Sequence, residues 1–112
     1  MNIQIFGTKR CQETRKAQRF FQERRIPFQL IDLAEKGISP GELRAVAAAV
    51  GFPALVDTHG RRFTDKGLSW QDYDPEAEIL SDPLLLKTPV VRDGRRATVG
   101  YAPDVWTLWL KD

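Results

Sequence analysis

The first 33 residues contain a strand, a helix and a second strand in close succession, and this succession limits the possible folds more than any other feature. Residues 2–6 alternate polar and apolar side chains, as a half-buried strand does. A helical pattern begins at Gln12 and stops at Ile26-Pro27, because proline disfavours helical geometry in the residue before it. Residues 28–33 then predict a second strand. Such a βαβ unit has parallel strands and a right-handed connection, so we expect an α/β fold.

The single cysteine, Cys11, lies in the turn between the first strand and the helix. Open α/β sheets bind ligands at the carboxyl ends of their strands, which is where this turn is placed. A thiol at a helix start faces unpaired N–H groups and the positive end of the helix dipole. Cationic side chains lie nearby in sequence at Lys9, Arg10, Arg15 and Lys16.

These neighbours favour the thiolate form of Cys11 over the thiol. Cysteines in such positions titrate at about 3.5–7.5, whereas a free cysteine titrates at about 8.5. We therefore predict that Cys11 is a nucleophile. The alternative is a small buried side chain without chemistry, which is a common role of cysteine.

The middle of the chain predicts helices and short turns. A helix is expected over residues 39–50, because Ser39, Pro40 and Glu42 form a capping box with proline at the first helical position. Gly51 stands where a helix C-cap would lie. Residues 52–74 predict short helical turns and loops, residues 75–82 a further helix, and residues 84–86 a buried connection.

The last quarter of the chain predicts a hairpin and a helix. Strands are expected over residues 88–92 and 95–99, around a two-residue Asp93-Gly94 turn. The final helix has apolar residues at helical spacing, and two tryptophans are expected to anchor it on the sheet. These apolar residues are Ala102, Val105, Trp106, Trp109 and Leu110.

Composition narrows the class of protein. With 112 residues, of which 42% are hydrophobic, we expect one domain over residues 1–112 with a helical insertion at about residues 39–86. One cysteine and no signal-like segment favour a cytoplasmic location, and no apolar run approaches the roughly 20 residues of a membrane span. A net charge of +2 does not favour direct nucleic acid binding. We expect a monomer. The chain has one histidine, His59, and one cysteine, which are too few to predict a metal site.

The order of elements resembles a thioredoxin fold: a βαβ unit, a helical insertion and a ββα unit around a mixed four-stranded sheet. In that fold a proline opens the third strand opposite the cysteine. Pro89 occupies the corresponding place. The resemblance implies that the Thr88–Pro89 peptide is cis.

Three stretches resemble the family that contains the glutaredoxin-coupled arsenate reductases (ArsC) and the Spx transcription regulators. They are Cys11 with Arg15-Lys16-Ala17 four residues on, residues 87–91, and residues 99–101. The resemblance implies that Cys11 and Arg15 are catalytic. It further implies a surface that binds the substrate or a thiol, formed by Thr8, Lys9, Arg10, Gln12, Lys87, Thr88 and Pro89.

The arginines differ from those of the reductases, which surround the arsenate oxyanion with three guanidinium groups. Arg15 matches the first of them. Thr88 stands where the second precedes the proline, and residues 99–101 contain no third. We therefore expect weak or absent arsenate reduction. Whether other arginines approach the site is open at this stage, namely Arg61, Arg62, Arg92, Arg95 and Arg96.

The resemblance allows two functions. The first is a thiol-dependent oxidoreductase that binds no cofactor: the Cys11 thiolate attacks an oxidised or oxyanionic centre, and glutathione or a glutaredoxin completes the cycle. An outside thiol is required because Thr14 stands where Spx proteins have the second cysteine of a Cys-x-x-Cys switch. The alternative is an Spx-like regulator that binds RNA polymerase without catalysis. A third possibility is the fold without chemistry.

Overall fold

A computed structural model of the chain describes residues 1–111, and its central feature is a four-stranded sheet. The strands are β1 (Ile3–Gly7), β2 (Phe28–Asp32), β3 (Val90–Asp93) and β4 (Arg96–Val99). Their order is β2-β1-β3-β4. β1 pairs in parallel with β2 and antiparallel with β3, which pairs antiparallel with β4. The predicted mixed sheet with thioredoxin-like topology is confirmed.

Helices flank the sheet, and those between β2 and β3 fall in the range predicted for the insertion. Short 3-10 turns cover Leu68–Trp70 and Pro83–Leu85. The α-helices of the described residues are α1 (Gln12–Glu23), α2 (Pro40–Val50), α3 (Phe52–Leu55), α4 (Arg61–Asp65), α5 (Pro75–Ser81) and α6 (Pro103–Leu110). None of the helices in residues 1–111 has the length and apolar character needed to cross a bilayer.

The sheet separates two hydrophobic cores because alternate side chains of a strand point to opposite faces. On one face, Ile3 and Ile5 pack with the aromatic residues of α1 and α6. On the other face, Phe6 and Val90 pack with α2 and with the other helices of the insertion. Phe20 and Phe21 of α1 are buried, as their helical spacing predicts.

The start of α2 has the predicted capping box. Glu42 N donates to Ser39 Oγ at 3.1 Å, and Ser39 N donates to Glu42 Oε1 at 3.0 Å. Partial burial raises the pKa of the Glu42 carboxyl, but hydrogen bonds from Ser39 outweigh this and the pKa lies below its ordinary value. At the other end, Gly51 ends the helix with φ +83°, which glycine adopts without strain.

The predicted hairpin turn is wrong by one residue. Asp93 pairs with Arg96, so the two-residue turn is Gly94-Arg95 and not Asp93-Gly94. Gly94 takes φ +61° at the first turn position, where glycine fits best. The first hairpin strand also begins later than predicted, at Val90.

The last helix differs from its predicted apolar face at one position. Trp106 and Trp109 are buried and pack on the sheet, as expected. Val105 is 39% exposed and lies outside that face. The helix begins at Pro103 and spans only eight residues, of which Trp106 and Trp109 are the buried ones.

The buried contact between α6 and β4 leads to a test of stability. Trp106 Nε1 donates to Thr98 Oγ1 at 2.8 Å, and both side chains are buried. We expect Thr98→Val to lower the free energy of unfolding by about 1–3 kcal/mol, because the indole N–H loses its acceptor while the side-chain shape is kept. Thr98→Ser keeps the hydroxyl and serves as the control. Urea unfolding followed by tryptophan fluorescence measures both; a valine variant as stable as the wild type would contradict the expectation.

Candidate functional site

Cys11 is the N-cap residue of α1, directly after the carboxyl end of the central strand β1. Its backbone is extended, with φ −77° and ψ 114°, and its side chain is half-buried. Cys11 N donates to Thr8 O at 3.2 Å, which closes the turn, and Arg15 N donates to Cys11 O at 3.2 Å, which begins the helix. An N-cap side chain ordinarily accepts hydrogen bonds from the second and third helical N–H groups. Here those groups belong to Glu13 and Thr14.

Hydrogen bonding determines the ionisation of Cys11. Partial burial raises the pKa of the thiol, but hydrogen bonds from the Thr14 and Thr88 side chains and from the Thr14 and Glu13 N–H groups outweigh it, so the pKa lies below its ordinary value. These hydrogen bonds form to the thiolate. The structure shows no capping hydrogen bond from the Cys11 side chain, and its S–H donates to Thr88 O at 3.8 Å.

Thr14 is the residue of the site that sequence reasoning missed. Its side chain is 1% exposed, and its hydroxyl forms no hydrogen bond with a described residue. Hydrogen bonding from this side chain to the Cys11 thiolate is the largest of the effects that lower the pKa of the thiol. Thr14 fits there because Gly7 has no side chain: a Cβ on Gly7 would lie 2.4 Å from Thr14 Oγ1. A glycine at the end of the strand and a hydroxyl residue three after the cysteine were the sequence signals available.

The predicted cations have a smaller role than expected. Hydrogen bonds, and not charges, are the largest causes of the lowered pKa of Cys11. Arg15 and Lys16 are exposed on α1. Lys16 Nζ lies 5.8 Å from the Tyr101 ring, and Lys9 forms an exposed ion pair with Glu35 at 3.8 Å.

The loop before β3 lies opposite Cys11. Its Thr88–Pro89 peptide is cis, as the resemblance implied. Pro89 is buried and its carbonyl accepts from Gly100 N at 2.8 Å, while Lys87 N donates to Leu55 O at 2.7 Å. The N–H group of Thr88 between them makes no hydrogen bond to any described residue.

The structure thus divides the predicted site residues into three groups. Cys11, Thr88 and the buried Pro89 lie together. Thr8 closes the turn through its carbonyl oxygen. The side chains at the exposed rim are those of Lys9, Arg10, Gln12, Arg15 and Lys87.

The hairpin arginines do not approach Cys11. The turn that contains Arg95 lies beside Ile3, at the opposite end of β1 from Gly7. Arg92 bonds to Gln4 and to Gly94 O near that end, and Arg96 binds Asp93 there.

The arginines of α4 lie closer to the site. Arg61 and Arg62 line one cavity together with Arg10, the residue before Cys11. Within residues 1–111, no group of three or more histidine, cysteine or acidic side chains is arranged to hold a metal ion.

Comparison with known proteins identifies the family. The model of the ArsC family matches residues 6–108. The chain belongs to the ArsC family. It is 29% identical over 111 residues to the uncharacterised protein YusI of Bacillus subtilis, covering 93% of this chain and 94% of that one. It is 26% identical over 109 residues to the global transcriptional regulator Spx 2 of Oceanobacillus iheyensis, covering 93% and 80%.

Solved structures of other proteins share this fold. The YFFB protein superposes with a TM-score of 0.84 at 25% identity, covering 95% of this chain and 96% of its own. An arsenate reductase from Vibrio cholerae has a TM-score of 0.80 at 20% identity, covering 94% of each chain. The second likeness concerns the fold alone.

The Thr14 contact leads to a test of the thiolate. We expect Thr14→Val to raise the pKa of Cys11, because valine keeps the shape of threonine but cannot donate to sulfur. Thr14→Ser retains the donor and should stay near the wild type. Arg15→Gln, which removes an exposed charge one turn away, should shift the pKa less than Thr14→Val. Rates of iodoacetamide alkylation measured against pH give each midpoint; a valine variant that titrates like the serine variant would remove Thr14 from the account.

Proposed function

We propose that this ArsC-family protein is a thiol-dependent oxidoreductase in which the Cys11 thiolate is the nucleophile and glutathione or a glutaredoxin is the thiol partner. One observation carries the proposal: the Thr14 hydroxyl is buried without a partner among the described residues, next to a thiol whose pKa it lowers by donating to the thiolate. Leaving such a group unsatisfied costs about 1–3 kcal/mol. A cysteine that served only as core filling would not need this arrangement.

The proposed reaction is a thiol–disulfide exchange. The Cys11 thiolate attacks one sulfur of a disulfide, forms a new S–S bond and expels the other sulfur as a thiolate, which takes a proton from water. A second thiolate then attacks the mixed disulfide and releases Cys11. The second thiol comes from outside because Cys11 is the single cysteine of the chain.

Backbone groups beside Cys11 offer a means of orienting that partner. The N–H of Thr88 makes no hydrogen bond to described residues, and Thr88 O lies 3.8 Å from the Cys11 sulfur. An extended thiol peptide can pair with one donor and one acceptor of this kind as an added strand. Such pairing requires no arginine.

Arsenate is a poorer match for the site. A multiply charged tetrahedral anion needs several fork-shaped donors. Thr88 precedes Pro89 in place of an arginine, and the hairpin arginines lie at the far end of β1. Each hydrogen bond to a charged group is worth roughly 1.5–3 kcal/mol, so loss of two such contacts would slow reduction by orders of magnitude.

Two assays on the same preparation test this function. With oxidised glutathione, we expect mass spectrometry to detect one glutathione per wild-type chain and none on Cys11→Ser. With arsenate, glutathione and glutaredoxin, we expect arsenate-dependent NADPH oxidation to be weak or absent. If no mixed disulfide forms, the oxidoreductase proposal fails. If Cys11-dependent arsenate turnover matches that of a dedicated reductase, the site binds arsenate by contacts other than the three arginines.

Transcription regulation is the second candidate. Relatives named global transcriptional regulator Spx match over about nine-tenths of this chain. The exposed face of α1 has Arg15, Lys16 and Arg19, none of which forms an ion pair with a described residue, and such a face suits an acidic protein surface. In this case purified RNA polymerase would bind the wild type and Cys11→Ser equally, and Lys16→Glu with Arg19→Glu would abolish binding.

A further inference from the structure

A cavity of about 850 Å³ lies beside the site and has no role in the function proposed so far. Its lining comes from two segments that also form the site. Arg10 precedes Cys11, and Leu85 belongs to the segment that leads into Thr88. The cavity, here called the insertion cavity, is completed by Asp57 and by side chains of α4. Its volume falls within the usual range for small-molecule sites.

Ion pairing leaves few charges of the insertion cavity available to a ligand. Asp82 is shared by Arg62 at 2.6 Å and Lys66 at 3.6 Å, so both of these cations are paired with the same carboxylate. The Arg61 side chain is 94% exposed, and its Nε lies 3.9 Å from Asp65 Oδ2. At this distance and exposure the two groups form a weak surface ion pair.

Arg10 and Asp57 are the remaining charged residues that line the insertion cavity. Neither forms an ion pair with a described residue. Asp65 also lines the cavity, so the insertion cavity offers a ligand two cations, Arg10 and Arg61, and two carboxylates, Asp57 and Asp65. The lining as a whole has four cationic and three acidic side chains.

We propose that the insertion cavity binds the glutathionyl group whose sulfur reacts with Cys11. A glutathionyl group has two carboxylates and one ammonium, so its net charge of −1 is opposite to the net charge of +1 of the seven charged side chains that line the cavity. Its sulfur lies in the middle of the tripeptide, which suits a cavity lined by Arg10, the residue before Cys11, and by Leu85, three residues before Thr88. This inference rests on the oxidoreductase function proposed above and specifies its substrate.

The reaction with two disulfides separates charge recognition from the reactivity of the thiolate. In each, the Cys11 thiolate forms a mixed disulfide and expels one thiolate, which is protonated by water. Oxidised glutathione has the charges that the cavity would bind, and hydroxyethyl disulfide has none. The two disulfides also differ in size and leaving group, but these differences are the same for every variant. A change in the ratio of their second-order rate constants between variants, measured under single-turnover conditions, therefore reports charge recognition.

The cation variants should lower this ratio. Exposed charge pairs have modest energies, so we expect Arg10→Gln and Arg61→Gln each to reduce it about two- to fivefold and the double variant about tenfold. Arg95→Gln is the matched control, since Arg95 is an exposed arginine at the far end of the sheet, and its ratio should equal that of the wild type. A double variant within about twofold of the wild type overturns the proposal, as does an equal loss in the control.

Asp57→Asn distinguishes a zwitterion site from general attraction of an anion. Removal of a carboxylate makes the protein more positive, so general attraction predicts a higher ratio for the net anionic glutathione disulfide. Loss of the contact to the ammonium predicts a lower one. We expect a fall of about two- to fivefold, and a rise overturns the assignment.

These outcomes are distinguishable from failure of the oxidoreductase function itself. If neither disulfide reacts with Cys11, that function is wrong. If both react but the ratio is unaffected by the cavity variants, the function stands and the insertion cavity is not the glutathionyl site.

Discussion

The close packing of Thr14 against Gly7 is the contact on which the site depends. Gly7 ends the central strand, and a methyl group in place of its hydrogen would overlap the Thr14 hydroxyl. Because Gly7 O also accepts from Leu33 N at 2.9 Å, the same residue joins β1 to the chain after β2. The first turn of α1 is thereby fixed against the sheet, with its N–H groups and one buried hydroxyl directed at Cys11.

This arrangement couples ionisation of the thiol to satisfaction of a buried polar group. Hydrogen bonds from neutral groups stabilise a thiolate without placing a competing cation over the sulfur, and they are less sensitive to salt than surface charges. Of the three arginines that the resemblance to arsenate reductases implies around an oxyanion, Arg15 is at its position, whereas Thr88 and residues 99–101 replace the other two. We therefore expect a site better suited to sulfur chemistry than to arsenate reduction.

Local features of the fold could be predicted from sequence, whereas long-range contacts could not. The capping box at Ser39 and the strand–helix–strand order depend on neighbouring residues, so they are found as predicted. The cis peptide before Pro89 was predicted from the resemblance to the thioredoxin fold. The packing of Thr14 on Gly7 depends on how a helix lies on a strand, and the insertion cavity depends on how separate segments of the chain come together. Neither can be predicted from the spacing of residues in the sequence. The hairpin was misplaced because both Asp93-Gly94 and Gly94-Arg95 satisfy the same turn rule, and pairing with β1 decides between them.

The most direct test of the account is a comparison of Cys11 ionisation in the folded and the unfolded chain. Thiolate absorbance near 240 nm, titrated with and without urea and corrected with Cys11→Ser, gives both midpoints. We expect a lower midpoint in the folded protein, because the Thr14 hydroxyl and the first N–H groups of α1 are near the sulfur only when the chain is folded. A folded midpoint equal to or above that of the unfolded chain would contradict it.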